Sequence, residues 1–329
     1  MAESTPSAAP GSEEPASVPV ALFAYRRHRQ LAGTLEALSA CPISRLYVFS
    51  DAARGGEDAA DVLQVRRLLE SVDWIEPVIV ARDQNAGLST SIREGLDSVF
   101  EDHETAIVIE DDVRVAPEFY DYARRALERY RAEPSVAGIT GLRYPFDRAP
   151  LEDYPYDVFL SPRFSSWGWA TWRGRWREFD FDVGSLRRRI RAAGDFRPEL
   201  AGADLPAMIH ETIVTESLTG SWDVLCATNM LLTGRGFVTP AWNMVENTGL
   251  SEGTHAAETP AWQLRWEHEH CPAPGAIRFA PPQPDPRVLD AYLRFFEHRD
   301  EGGGAIVRVR GAAARWRSQR RARRAWGRL

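Results

Sequence analysis

Ala106-Ile107-Val108-Ile109-Glu110-Asp111-Asp112 runs from four apolar residues, three of them β-branched, straight into three carboxylates. The apolar part is short and continuous, which reads as a strand buried on both faces. Three consecutive carboxylates at its end repel one another and lose hydration, so a fold seldom gains by placing them there. A divalent cation would remove that repulsion. Hard oxygen ligands suit Mg2+ or Mn2+, which keep several waters and bridge to phosphate groups. Taken alone, the string equally suits an acidic junction leading to the turn before Pro117, so its surroundings decide.

Upstream, apolar strands occur three more times, at 18–24, 46–49 and 77–80, and the first is read as buried. Between them the apolar residues take helical spacing: Leu31, Leu35 and Leu38, then a helix near 59–71, then Leu88, Ile92, Leu96 and Val99. Four strand–helix alternations with apolar strands predict an α/β fold, a mostly parallel sheet covered by helices on both faces. In such sheets ligands bind beyond the carboxyl ends of the strands. Asp51, after the second strand, and Glu110–Asp112, after the fourth, should therefore share one crevice. A helix over 117–132 and a strand over 136–140 follow. Beyond Tyr144 the chain becomes rich in proline and aromatic residues and the periodicity weakens.

The chain has 329 residues, 44% of them hydrophobic, with a formal net charge of −7. That is ample for a large core. There is no lysine, and nine of the 40 basic residues lie between Ala305 and Leu329, where no acid occurs. An arginine-rich tail suits an anionic membrane surface, an acidic partner, or plain solvation; nucleic acid is not expected as the partner. Residues 1–17, poor in apolar residues and without a basic run, are expected to be disordered and to be neither signal peptide nor anchor. Cys41, Cys226 and Cys271 are widely spaced, with no zinc-type pairing and no disulfide framework. A cytoplasmic location follows as the expectation, with peripheral contact at the inner face of the cell membrane through the tail.

Several motifs, in order from about Val20 to His255, resemble GT-A glycosyltransferases, in particular N-acetylglucosaminyltransferase I-like enzymes and bacterial family 2-type sugar transferases. Leu22-Phe23-Ala24-Tyr25-Arg26-Arg27 is similar to their opening strand and loop, and Phe49-Ser50-Asp51 to the second-strand acid. Ile107–Asp112 is similar to their EDD motif, and Phe164-Ser165-Ser166-Trp167-Gly168-Trp169 to a segment beside the donor sugar. Ser221-Trp222-Asp223 is similar to the segment with the catalytic base, and Asn243–His255 to a closing loop. The resemblance implies a GT-A three-layer sandwich that transfers a sugar, with inversion, from a nucleoside-diphosphate sugar to a hydroxyl acceptor. UDP is the nucleotide it implies.

On that resemblance Arg27 and Asp51 would hold the base, Glu110 and Asp111 the ribose and sugar, and Asp112 the Mn2+ or Mg2+. Gly168 would let backbone approach the donor, Trp169 would offer a ring face to the sugar, and Asp223 would be the base. His255 is a further candidate metal ligand. Asp223 also reads locally as a first-turn acid behind an N-capping Ser221. The chain then divides into residues 1–17, a nucleotide-sugar-binding half over 18–145, an acceptor and catalytic half of the same domain over 146–300, and a tail over 301–329. The acceptor stays open among glycan, lipid-linked sugar and small molecule. A sugar nucleotidyltransferase would carry a glycine-rich phosphate loop after the first strand, which Tyr25-Arg26-Arg27-His28 does not, and a dinucleotide oxidoreductase would need GxGxxG there. A non-catalytic glycan-binding protein would have no use for acids converging on one cleft.

Overall fold

The computed structural model describes residues 17–147, 149–216, 221–249 and 276–298. The first four strands are β1 (Val20–Ala24), β2 (Leu46–Ser50), β3 (Val78–Ala81) and β4 (Thr105–Glu110), joined by α1 (His28–Ser39), α2 (Gly56–Glu70) and α3 (Leu88–Asp102). Next come β5 (Val113–Val115), α4 (Phe119–Tyr130), β6 (Val136–Thr140), β7 (Val158–Ser161), β8 (Trp169–Trp172), β9 (Gly236–Pro240) and β10 (Val245–Asn247). Eight of these form one sheet in the order β3-β2-β1-β4-β8-β6-β9-β7, and β10 pairs with β5 apart from it. Strands β1 to β4 are mutually parallel, β8 runs against both β4 and β6, and β9 runs with β6. The protein is thus a mixed α/β fold around a mostly parallel central sheet.

Alternation along β1 shows how the layers arise. Val20, Leu22 and Ala24 face a core shared with Leu31, Leu35 and Leu38 of α1 and Val65 and Leu69 of α2. Ala21 and Phe23 face the opposite core, with Ile92, Leu96 and Val99 of α3. Period two in the strand and period 3.6 in the helices sort the same apolar content onto two faces. In the second core, Leu186 and Ile190 come from the helix Val183–Ala193, and Val224, Leu225 and Met230 from the helix Trp222–Thr233.

The order 3-2-1-4 has a consequence for ligand binding. The chain builds outward from β1 to β3 and then returns to the other side of β1 to lay down β4. The segments that follow β1 and β4 therefore lie side by side at the carboxyl ends of these strands, where ligands bind in such sheets. The expected cover of helices on both faces does not reach β3. It is the edge strand, and all four of its residues are exposed. An apolar run cannot by itself distinguish a central strand from an edge, because that is decided by where the remaining strands pair.

Candidate active site

The register of β1 against β4 pairs Phe23 with Glu110, so the residues just beyond each strand meet side by side. The backbone N–H of Tyr25 donates to Asp111 Oδ2 at 2.9 Å. The Arg27 guanidinium forms an ion pair with Asp112 and lies 3.8 Å from Asp111 Oδ1. Around this junction is a cleft of about 480 Å3, whose lining includes the stacked rings of Phe23 and Phe49 together with Arg27, Asp51, Glu110 and Asp111. That size and mix of ring, apolar and polar groups suits a small-molecule site. Asp51, Glu110 and Asp111 line the one crevice, and Asp112 meets it through its ion pair with Arg27.

Two of the predicted binding side chains, however, are engaged elsewhere in the protein. Asp51 accepts backbone N–H groups from Ala52, Ala86 and Gly87, each at 2.9 Å, while Asn85 donates to the Ala52 carbonyl at 2.7 Å. Its carboxylate therefore fastens the loop before α3 to the end of β2. Arg27 is drawn to Asp112 at the acidic end, away from Asp51. The loop after β1 has a second anchor that the sequence did not reveal. Tyr25 Oη and the Arg26 guanidinium both donate to Asp58, at 2.6 Å each, and Arg54 lies 5.4 Å over the Tyr25 ring. In sequence Asp58 is indistinguishable from any first-turn helix acid.

The strand pair β5–β10 brings a later part of the chain back to Asp112. Asn247 lies opposite Val113, and Thr248 donates its backbone N–H and its hydroxyl to the Asp112 carbonyl, at 2.8 and 3.1 Å. Gly249 then lies so close to the Arg27–Asp112 pair that a Cβ would strike the Asp112 carboxylate and come within 2.8 Å of Arg27 Nη1. Gly249→Ala is expected to force the pair apart and to lower stability by about 1 kcal/mol, read from chemical denaturation midpoints.

Charge at this junction is far from balanced. Asp111 and Asp112 are only 6% and 5% exposed, and Glu110 is half-buried. Burial, then the charge of Asp112, pushes Asp111 up to about 7, against the Tyr25 N–H and Arg27. Glu110 is raised well above the usual carboxylate range by burial and by Asp112, Asp111 and Asp223. Burial also raises Asp112, with Arg27 opposing. In the unfolded chain these groups lose their protons near the ordinary carboxylate value. Between there and about pH 7 the folded protein holds a proton on Asp111 that the unfolded chain has released. Stability of the metal-free protein should therefore fall as pH rises through that window, by at most about 1.4 kcal/mol per pH unit for one such proton. Thermal melts in EDTA should show Asp111→Asn with a decline between pH 5 and 8 that is flatter by about one proton's worth.

Among the described residues no group of three or more His, Cys, Asp or Glu side chains could by itself hold a metal ion. The acids nevertheless fit a divalent cation. They are hard oxygen donors, buried or half-buried, each with a raised pKa, and Arg27 is the cation seen paired with them. Mg2+ and Mn2+ need few protein ligands when waters and phosphate oxygens complete the shell. Asp112 is the carboxylate that would hold it, with Arg27 moving aside. His255, the other candidate ligand, lies outside the described residues, as do Cys271 and the closing loop beyond Gly249.

Asp223 opens the helix Trp222–Thr233. Ser221 occupies the N-cap position but makes no side-chain cap bond; instead the Asp223 carboxylate accepts backbone N–H groups, Val224's among them. Burial raises its pKa, while those N–H groups and the charge of Arg163 pull it down. Its own charge contributes to the raised pKa of Glu110. Arg163 is 8% exposed, bidentate to Asp204 at 2.8 Å, and 4.3 Å over the Phe296 ring. Beside it, Phe164 packs on Trp222 at 5.5 Å, tying this loop to the start of the Asp223 helix. Nothing in sequence marks Arg163, since a buried arginine looks like any other until its partner is placed.

The segment expected beside a donor sugar needs correcting. Trp169 is 1% exposed, closed in by Phe164, Trp176 and Trp222 at ring distances of 5.2 to 6.0 Å, so it offers no open face to a pyranose. It is the first residue of β8, an interior strand. Gly168 has φ +58°, and a Cβ there would lie 2.6 Å from Val245 Cγ1. The close approach it permits is that of β10 rather than of a ligand. Trp167, half-buried, is the ring of this segment that reaches the surface.

The fold and cleft together define a mixed α/β protein with a ligand crevice at its topological switch point. No family model matches the chain, and no curated protein does. Among solved structures it is similar to a mannosyltransferase, PcManGT from Pyrobaculum calidifontis in complex with GDP-Man and Mn2+, at 17% identity and a TM-score of 0.42, over 73% of this chain and 59% of that one. It is also similar to TarS of S. aureus, at 10% identity and a TM-score of 0.40, over 72% of this chain and 37% of that one. The chain thus spans less than two thirds of the length of either protein.

Proposed function

We propose that the chain is a GT-A glycosyltransferase that moves a sugar from a nucleoside-diphosphate sugar to a hydroxyl acceptor, with inversion and with a divalent metal. The observation that carries this reading is the convergence, at the switch point between β1 and β4, of three buried or half-buried acids with Arg27. Such an excess of carboxylates makes sense beside a ligand that brings both a cation and a diphosphate. A Mn2+ or Mg2+ ion on Asp112 would supply positive charge to the leaving diphosphate.

The chain's own groups do the rest. The cleft beside Phe23 and Phe49 takes the nucleoside, and the Asp51-braced loop Asn85–Gly87 shapes its wall. Arg27, released from Asp112, is within reach of the diphosphate. Glu110 and Asp111 face the ribose and sugar. Asp223 accepts the proton of the acceptor hydroxyl as that oxygen bonds the anomeric carbon; the bond from that carbon to the diphosphate breaks, and its electron pair leaves with the diphosphate. UDP is the nucleotide proposed, on the resemblance of the motifs alone.

The test is donor hydrolysis and binding across UDP-, GDP- and TDP-sugars, with Mn2+ and with EDTA. Metal-dependent turnover or binding of a UDP-sugar supports the reading. Silence from all three donors in the presence of metal overturns it.

A further inference from the structure

The two edges of the sheet are treated in opposite ways. At one end β7 is fully buried. At the other, β3 carries Val78, Ile79 and Val80 at 40%, 37% and 41% exposure, on both faces of the sheet. Folded proteins shield apolar edges, because an open row of N–H and C=O groups flanked by β-branched side chains is a template for another strand. Among the described residues nothing blunts it: the strand has no lysine, no bulge and no proline inside it.

The backbone of this edge can be read residue by residue. Val78, Ile79, Val80 and Ala81 pair in parallel with Tyr47, Val48, Phe49 and Ser50, and Arg82 donates its N–H to the Ser50 carbonyl. In a parallel ladder alternate residues bond the same neighbour. Val78, Val80 and Arg82 therefore bond β2, while Ile79 and Ala81 turn their N–H and C=O groups outward. We propose that β3 pairs antiparallel with β3 of a second copy of this chain, about a twofold axis through Ile79, joining two eight-stranded sheets into one.

Self-complementarity selects that partner and register. Outward groups must meet outward groups, so odd-numbered residues face odd-numbered ones. With Ile79 opposite Ile79, Val78 meets Val80 of the other copy, a pairing of β-branched side chains favoured across strands. Glu76, which is exposed, then meets Arg82 of the other copy, and the twofold repeats the contact. Arg82 already holds Glu94 at 2.7 Å and keeps 22% of its side chain exposed, so the second carboxylate would join an existing pair. Sliding the axis to Val78 or Val80 removes the Glu76–Arg82 match. Pro77 falls opposite Ala81, where its missing N–H removes one bond from each end of the ladder.

The test is made on the full chain. Sedimentation equilibrium should find a dimer of the 36.9 kDa polypeptide. Residue-resolved hydrogen exchange should show the Ile79 and Ala81 amides becoming protected as concentration rises through the dimerisation midpoint, with Val78 and Val80 protected throughout. Glu76→Arg should weaken dimerisation about tenfold, by setting like charges opposite one another twice. Ile79→Lys, at an exposed position, should give a monomer with an unchanged circular dichroism spectrum. A protein that stays monomeric to the highest soluble concentration overturns the proposal. So does a dimer in which the Ile79 and Ala81 amides exchange as freely as in the monomer, or protection of those amides at every dilution, which would mean that the chain's own remainder covers the edge.

Discussion

Asp112→Ala is expected to lower kcat/KM for sugar transfer by about a thousandfold or more while leaving the fold intact. Both halves of that expectation come from the same charges. Asp112 is 5% exposed beside two other acids, and its charge helps to raise the pKa of each. Removing it relieves repulsion. Its partner Arg27 keeps about a third of its side chain in solvent, so loss of the ion pair costs little. The metal-free variant should melt no lower than the wild type. With Mn2+ present, the wild type should gain melting temperature and the variant should not, because the gain measures binding to the folded state. Turnover close to wild type in Asp112→Ala would remove the metal from this residue. A large drop in melting temperature would instead make Asp112 structural.

The sequence and the structure agree where local pattern is sufficient and part where it is not. The first four strands and their helices were legible because each carries its own period: Leu31, Leu35 and Leu38 form one stripe whatever the rest of the chain does. The shared crevice of Asp51, Glu110 and Asp111 was legible too, because a parallel sheet puts the carboxyl ends of its strands at one edge. What each carboxylate touches was not. Asp51 binds the backbone of Ala86 and Gly87, which are 35 and 36 residues away. Trp169 was misread for a related reason. The resemblance of the segment 164–169 gave Trp169 an open ring face, and only the insertion of β8 between β4 and β6 makes it core. The apolar run of β3 shows the same limit in reverse: its residues match those of a central strand, and its exposure follows from being last in the order.

Asp223→Asn is the other large effect, and it separates the chemistry from donor binding. A positioned general base contributes about 10^2- to 10^4-fold, so kcat for transfer should fall by that factor. Asparagine retains an oxygen that can accept the Val224 N–H, so the start of the helix Trp222–Thr233 should hold. Donor affinity, measured by equilibrium binding, should change by no more than about threefold, since Asp223 is assigned to the acceptor hydroxyl and not to the diphosphate. The pH profile gives a readout that a purely structural role would not move. Burial raises Asp223, so the wild-type rate should climb with pH over a range above the ordinary carboxylate value, as the base form appears. With asparagine there, the part of that limb due to this residue is lost, and any slope that remains belongs to the acids on Asp112's side of the cleft. A variant that transfers sugar at the wild-type rate would return Asp223 to the role of a first-turn helix acid. The base would then have to be sought elsewhere on the same wall.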